Sequence, residues 1–208
     1  MKPIIVVNFK TYKQGKDAIK LAKQIEKVDK NIIVGVQDSD IYEIKKATKL
    51  KIFSQHVDPF KSGRHTGYTI PEAVREDGAI GTFLNHSEHR LNFKTLKKTI
   101  ARCKKIKLKT FVFASSLREA IKIKKLNPDC IILEPPELVA GKISVSQAKP
   151  ELIKQISKKL GEKFLVGAGI KTRRDVKIAL KLGASGIAVS SVITKARNPI
   201  RKLKELQP

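Results

Sequence analysis

Three places in this chain have residue types and spacings suited to chemistry on a small molecule. The first is Glu134, which follows the apolar run Ile131-Ile132-Leu133 and precedes Pro135-Pro136. Consecutive apolar residues read as a strand buried on both faces, and proline restricts the residue before it, so the backbone around Glu134 is expected to be stiff. The small and apolar residues that follow lead to a second strand-like pair, Ile143 and Val145, as in a lid hinged over a carboxylate. The second place is Asn85-His86-Ser87-Glu88, at the end of the apolar stretch Ala79 to Leu84, and the third is Asn8 and Lys10, at the end of PIIVVNF. Taken singly, each has a plain structural reading: a capping acid, a satisfied polar histidine, a strand-end asparagine and one surface lysine among many.

The elements that must position these residues alternate regularly. Strands are expected at Pro3 to Phe9, Asn31 to Val36, Lys51 to His56, Ala79 to Leu84, Thr110 to Ala114, Asp129 to Leu133, Lys163 to Val166 and Ser185 to Val189. Between them lie helical patterns at Lys13 to Val28, Ile41 to Leu50, Phe93 to Ile106, Leu117 to Leu126, Lys149 to Leu160 and Thr172 to Leu182. Pro71 opens a brief helix, and a final helix lies around Pro199 to Leu206. Asn8 and Lys10 share the alternation of the first strand and are expected to point the same way. Eight strand-helix units predict a parallel sheet that closes into a single (β/α)8 barrel, one catalytic domain over residues 1–208. An open doubly wound sheet is the alternative, but it concentrates its ligand contacts at one switch point. Polar residues end strands one, four and six here, and small-residue turns follow seven and eight, which suits a barrel rim.

Composition narrows the classes. No apolar run is long enough to span a bilayer, and MKPIIVVNFK has too short an apolar core for a signal peptide. Cys103 and Cys130 lie 27 positions apart without paired Cys/His spacing, which argues against a disulfide framework and a zinc site and for a cytoplasmic setting. No metal and no cofactor is expected. The net charge of +25 is compatible with nucleic acid, an anionic surface or small anionic substrates. Lysines run from Lys2 to Lys204 and aromatics make up only 5%, so a base-stacking platform has little support; a lysine-rich solvated surface is the simpler reading, and nucleic acid is not expected as a partner. The Lys and Ile content fits a protein from a hot environment.

Asn8-Phe9-Lys10, Asn85-His86-Ser87-Glu88, Glu134-Pro135-Pro136-Glu137-Leu138 and Gly167-Ala168-Gly169-Ile170 occur in this order at strand ends. Together they resemble the triosephosphate isomerase family in its compact archaeal form. The resemblance spans the chain, including Gln55-His56-Val57-Asp58-Pro59 and His65-Thr66-Gly67. It implies a TIM barrel that interconverts dihydroxyacetone phosphate and D-glyceraldehyde 3-phosphate in glycolysis and gluconeogenesis. Glu134 would be the general base with a raised pKa. His86 would be a neutral donor to the substrate carbonyl, its pKa lowered by a short helix opening at Ser87-Glu88. Lys10 would be the fixed cation facing the oxyanion and phosphate, and Asn8 a hydrogen-bond donor near the carbonyl. Glu88 would support the site by pairing with Lys10 or Arg90.

Phosphate would sit on backbone N–H groups at Val139, Gly169, Ser190 and Ser191. The long connection Val57 to Ile70 would dock into a second subunit through Thr66, making a dimer or a dimer of dimers. Two positions depart from the family. The lid tip reads Val139-Ala140-Gly141-Lys142 where the family usually has Ile-Gly-Thr-Gly, and Val192 stands where glycine is usual, so a positive φ there would strain it. A non-catalytic barrel that binds polyanions is the alternative function, and a different sugar-phosphate enzyme a third.

Overall fold

A computed structural model describes residues 2–135, 145–161 and 164–208. Eight parallel strands close into a barrel in chain order: β1 (Ile4–Asn8), β2 (Ile33–Val36), β3 (Lys51–Ser54), β4 (Gly81–Leu84), β5 (Lys109–Ala114), β6 (Cys130–Leu133), β7 (Phe164–Val166) and β8 (Gly186–Val189). β1 pairs with β8 from Ile4–Gly186 to Val7–Val189, which leaves no open sheet edge. Helices connect the strands: α1 (Gly15–Glu26), α2 (Ile41–Ala47), α3 (Pro71–Glu76), α4 (Phe93–Lys105) and α5 (Leu117–Lys124). α6 (Val145–Ala148), α7 (Pro150–Leu160), α8 (Arg173–Lys181), α9 (Ser191–Thr194) and α10 (Pro199–Leu206) complete the chain.

The local causes are ordinary. α4 buries Leu96, Ile100 and Cys103 on one stripe, and the Asn92 side chain caps it by accepting from the Thr95 N–H at 2.9 Å. Ser116 caps α5, and Thr172 with Asp175 forms a capping box on α8. No helix among the described residues is long and apolar enough to cross a membrane.

Strand alternation divides the apolar residues into two cores. Val6, Phe53, Phe83, Phe111, Phe113 and Ile132 are among those filling the barrel, while Val7, Leu84, Ile131 and Leu133 face the helices. Four phenylalanines crowd the interior, Phe53 edge-on to Phe111 at 4.7 Å and Phe83 edge-on to Phe113 at 5.7 Å. Glycine makes the room: a Cβ on Gly35 would sit 2.0 Å from the Phe83 ring, and one on Gly81 would sit 2.4 Å from the Phe53 ring. Cys103 and Cys130 are both buried free thiols, and burial pushes each up to about 12.

The barrel read from the sequence is the fold observed, with element ends differing by a few residues. Two short helices, α6 and α9, were not anticipated, because four residues are too few to display a helical period. The short helix expected at Ser87-Glu88 is absent. Those residues form a turn closed by the His89 N–H donating to the His86 carbonyl at 2.9 Å.

Candidate active site

The carboxyl-terminal ends of the strands build the site, each by its own local route. In β6, Cys130 and Ile132 point into the barrel, and the Glu134 N–H still pairs with the Ala114 carbonyl at 2.9 Å. The same alternation therefore turns Glu134 inward at the mouth, where it is buried. In β4, Phe83 points inward, so simple alternation would turn His86 away. Asn85 prevents this by adopting a left-handed backbone, φ 62°, which brings the His86 ring edge-on to Phe113 at 4.6 Å.

A dense set of hydrogen bonds holds that reversal. Asn85 Nδ2 donates to the Phe113 carbonyl at 2.9 Å and to Glu119 at 3.0 Å, and its Oδ1 accepts from the Leu91 N–H at 3.1 Å. Glu119 also accepts from the backbone and hydroxyl of Ser115, both at 2.7 Å, and pairs with Arg90. Burial raises the Glu119 pKa, but these donors outweigh it and hold the carboxyl below its usual range.

Asn8 and Lys10 reach the same cavity, although not by shared strand alternation. β1 ends at Asn8, and Lys10 is left-handed with φ 48°. Two side chains clamp it: Asn8 Oδ1 accepts the Lys10 N–H at 2.9 Å, and Gln55 Nε2 donates to the Lys10 carbonyl at 2.9 Å. Lys10 Nζ pairs with Glu88 at 2.7 Å. Of the two partners expected for Glu88, Lys10 is the one observed; Arg90 goes to Glu119.

At the centre, His86 Nε2 lies 3.2 Å from Glu134 Oε2, and Ser87 Oγ donates to the same oxygen at 3.2 Å. The Glu88 N–H donates to His86 Nδ1 at 3.1 Å. Burial raises Glu134 to about 7, although the Lys10 charge and the Ser87 hydrogen bonds pull the other way. Burial, followed by the Lys10 charge, lowers His86 to about 4. The imidazole is thus neutral at pH 7, as expected, but through desolvation and a neighbouring cation in place of a helix terminus.

Asn8 and Lys10 separate two lobes of one depression. One lobe is lined by Glu134, Gly167, Gly169, Ser190, Ser191 and Val192; the other, of about 630 Å3, by Gln37, Gln55, His56, His86, Glu88 and His89. Gly167 leaves space beside the base, since a Cβ there would sit 2.7 Å from Ile132 and 3.7 Å from the Glu134 Cβ. Gly169 is left-handed, φ 68°, a backbone glycine adopts freely. Ser190 stands at the N-cap position of α9 without a side-chain capping bond, and Ser191 begins the helix. Val192 lies within α9 and is not among the residues of positive φ, so the expected strain does not arise. Val139, like the whole lid tip, lies outside the described residues.

A separate cavity of about 510 Å3 at the opposite end of the barrel holds the Lys2–Asp29 pair beside Phe53 and Phe111. It brings together no acid–base pair like that of Glu134 and His86.

The 57–70 connection is a shaped protrusion. Asp58 and Thr69 close its base, the Asp58 N–H donating to the Thr69 carbonyl at 2.7 Å and the Thr69 N–H to the Asp58 carboxylate at 3.0 Å. Phe60 stacks on His65 at 4.3 Å, and Thr66 and Tyr68 are exposed.

A family model described as triosephosphate isomerase matches residues 3–206. The chain belongs to the triosephosphate isomerase family. It is 40% identical to the triosephosphate isomerase of Saccharolobus solfataricus over 213 residues, covering 98% of this chain and 94% of that one. The triosephosphate isomerase of Methanocaldococcus jannaschii is 37% identical over 216 residues, with 98% of each chain covered. Among solved structures, the triosephosphate isomerase of Bartonella henselae superposes with a TM-score of 0.75 over 98% of this chain and 99% of that chain, at 15% identity, a likeness of fold.

Within this triosephosphate isomerase fold, Glu134, His86, Lys10, Asn8 and Glu88 converge as a group, and Gly169, Ser190 and Ser191 line the adjoining lobe. Reading the sequence left Gln55, Ser87 and Glu119 without individual roles. Gln55 and Ser87 lie inside the quoted motifs, a signal that could have drawn attention to them. Glu119 carried none, since it sits in a lysine-rich helix that reads as solvated surface.

Proposed function

We propose that this chain, acting over residues 1–208 as one catalytic domain, interconverts dihydroxyacetone phosphate and D-glyceraldehyde 3-phosphate by proton transfer through an enediolate. The observation that carries the reading is the Glu134–His86 pair, two buried groups 3.2 Å apart whose pKa values move in opposite directions. Glu134 takes the proton from the carbon beside the carbonyl and returns it to the neighbouring carbon. A carboxylate raised to about 7 is a stronger base than an exposed one while still partly ionised at pH 7.

His86 donates from Nε2 to the substrate oxygens. Because the ring is neutral, it stabilises the enediolate by hydrogen bonding. Lys10 supplies a fixed positive charge to the oxyanion and the phosphate, with Glu88 holding the ammonium until substrate arrives. Asn8 has Oδ1 engaged by the Lys10 backbone, which leaves its amide NH2 as the donor end. Phosphate binds the backbone around Gly169, Ser190 and Ser191, together with Val139 of the lid. The 57–70 protrusion, with Thr66 at its tip, docks a second copy and makes a homo-oligomer, dimer or tetramer. We assign the enzyme to the cytoplasm, and the two archaeal relatives favour an archaeal source.

A coupled assay with glyceraldehyde 3-phosphate tests the reading. Wild type turns over, and Glu134→Gln loses nearly all turnover while keeping the wild-type circular dichroism. A folded wild-type protein without turnover would end it.

A further inference from the structure

Two lysines of this chain stand where a barrel normally places apolar side chains. Lys51 opens β3 and Lys109 opens β5. Strand alternation sets Lys51 on the face of Phe53 and Lys109 on the face of Phe111, both rings of the barrel interior. They therefore lie on the inner rim at the end away from Glu134, two strands and about 10 Å apart. Both are exposed, and neither ammonium has a partner among the described residues. Both line the cavity of about 510 Å3 at that end. The other charges there are already matched. Lys2 pairs with Asp29 at 2.6 Å, and the Asp129 carboxylate accepts from the Thr110 N–H at 2.8 Å and from its hydroxyl at 3.3 Å. Three lysines against two aspartates leave the lining with one positive charge in excess. The rest of the wall is largely apolar. Ile4 and Ile80, two of the five exposed large apolar side chains among the described residues, line it together with the rings of Phe53 and Phe111.

We propose that this cavity binds a small aromatic monoanion, a flat apolar body with one carboxylate or sulfonate head, independently of the chemistry at the barrel mouth. Its volume falls within the roughly 300–1,000 Å3 of small-molecule sites. The body displaces water from Ile4, Ile80 and the two rings. The head takes the ammonium groups of Lys51 and Lys109, whose aliphatic stems extend the apolar wall. Each part of the ligand answers a separate feature of the lining. Inorganic phosphate would use the lysines and leave the apolar wall wet, whereas a neutral hydrocarbon would cover the wall and leave the lysines without a counter-charge. A polyanion fits poorly, because Asp29 and Asp129 repel charge beyond the one in excess.

The test is fluorescence titration of the full chain with 8-anilinonaphthalene-1-sulfonate, an aromatic monoanion that brightens when its rings leave water. Wild type binds one molecule per chain with a dissociation constant on the order of 10–100 μM. 4-Phenylbutyrate displaces the probe, and the neutral 4-phenyl-1-butanol does so at least ~5-fold less well. The double variant Lys51→Gln/Lys109→Gln binds about 10-fold more weakly or worse, and Ile80→Glu, a change at an exposed position, abolishes binding. Lys16→Gln/Lys20→Gln on the outer face of α1 alters net charge as much as the double variant and stays within about two-fold of wild type. Lys10→Gln at the opposite mouth does the same. Equal losses in the rim and α1 variants would overturn the proposal, since general attraction to a cationic surface would then suffice. A loss in Lys10→Gln would move the ligand to the barrel mouth and overturn it as well. Displacement by the alcohol as readily as by the carboxylate, or no brightening with wild type, would also end it; these two readouts need no variant to fold.

Discussion

The backbone N–H of Glu88 donates to Nδ1 of His86 at 3.1 Å, which fixes the imidazole tautomer. A neutral ring whose Nδ1 accepts must carry its proton on Nε2, the nitrogen 3.2 Å from Glu134. The turn that replaces the expected helix at Ser87-Glu88 therefore aims the donor into the cavity.

That pairing sets a pH profile for catalysis. With Glu134 raised to about 7 by burial, kcat/KM should climb with pH through an apparent pKa near 7, as the base ionises in the free enzyme. His86 remains neutral down to about 4, so it contributes no limb between pH 5 and 8. Rates measured at substrate well below KM, corrected for ionisation of the substrate phosphate, check this. A limb at pH 4–5 would show that Glu134 is not held up by burial.

The same shift has a signature in stability. A carboxyl whose pKa is about 7 in the folded chain and 4.5 when freely exposed favours the folded state below pH 4.5, and this contribution is lost as pH rises through about 7. Glu134→Gln removes the group and with it the loss. The variant should gain up to about 3 kcal/mol over wild type between pH 4 and pH 8. Urea denaturation at both pH values measures the gain, and parallel profiles would refute it. His86 has the opposite sign: its depressed pKa gives stability present above pH 6.5 and lost as pH falls through about 4.

Asn85 and Glu119 are positioning residues for His86. Asn85→Gly keeps the left-handed backbone but loses three side-chain hydrogen bonds, whereas Asn85→Ala loses the bonds and strains φ as well, by about 1–2 kcal/mol. Turnover should fall in the order wild type, glycine, alanine. Glu119→Gln should lower kcat by about ten-fold with little change in KM, because the donor is misdirected more than binding is weakened. Nitrogen-15 NMR of His86 should show a loosened Nε2–H tautomer in the same variants. Loss of thermal stability with unchanged kcat and tautomer would reduce Glu119 to a structural strut.

Gly35 is predicted to be intolerant for a purely steric reason. Alanine there would drive a Cβ to 2.0 Å from the Phe83 ring, which packs on Phe113 beneath His86. Gly35→Ala should destabilise by about 1–3 kcal/mol in urea. Adding Phe83→Leu should recover part of that.

Much of this architecture was legible in residue order, because eight apolar runs with helical spacing between them leave few alternatives to a barrel. Glu134 was legible too, since strand alternation through Cys130 and Ile132 carries it inward. His86 was not placed by the same rule. Alternation from Phe83 predicts the wrong face, and the reversal at Asn85 depends on Glu119, 34 residues away, and on the Phe113 carbonyl. Lys10 reaches the cavity through a left-handed residue clamped by Gln55, a contact across 45 residues that no local pattern records. The expected strain at Val192 failed for a related reason. Four residues of helix after β8 set its backbone, and a segment so short leaves no periodic trace.

The only two thiols of this chain sit inside the barrel and under α4, and the lone methionine is Met1. Burial pushes both thiols to about 12, so at neutral pH an oxidant meets almost no thiolate, the form that peroxide attacks. The working groups of the site are carboxylate, imidazole, ammonium and amide, none of them sulfur. An engineered surface cysteine would therefore be the one exposed thiol of the molecule, free of competition from Cys103 and Cys130 in thiol-directed labelling.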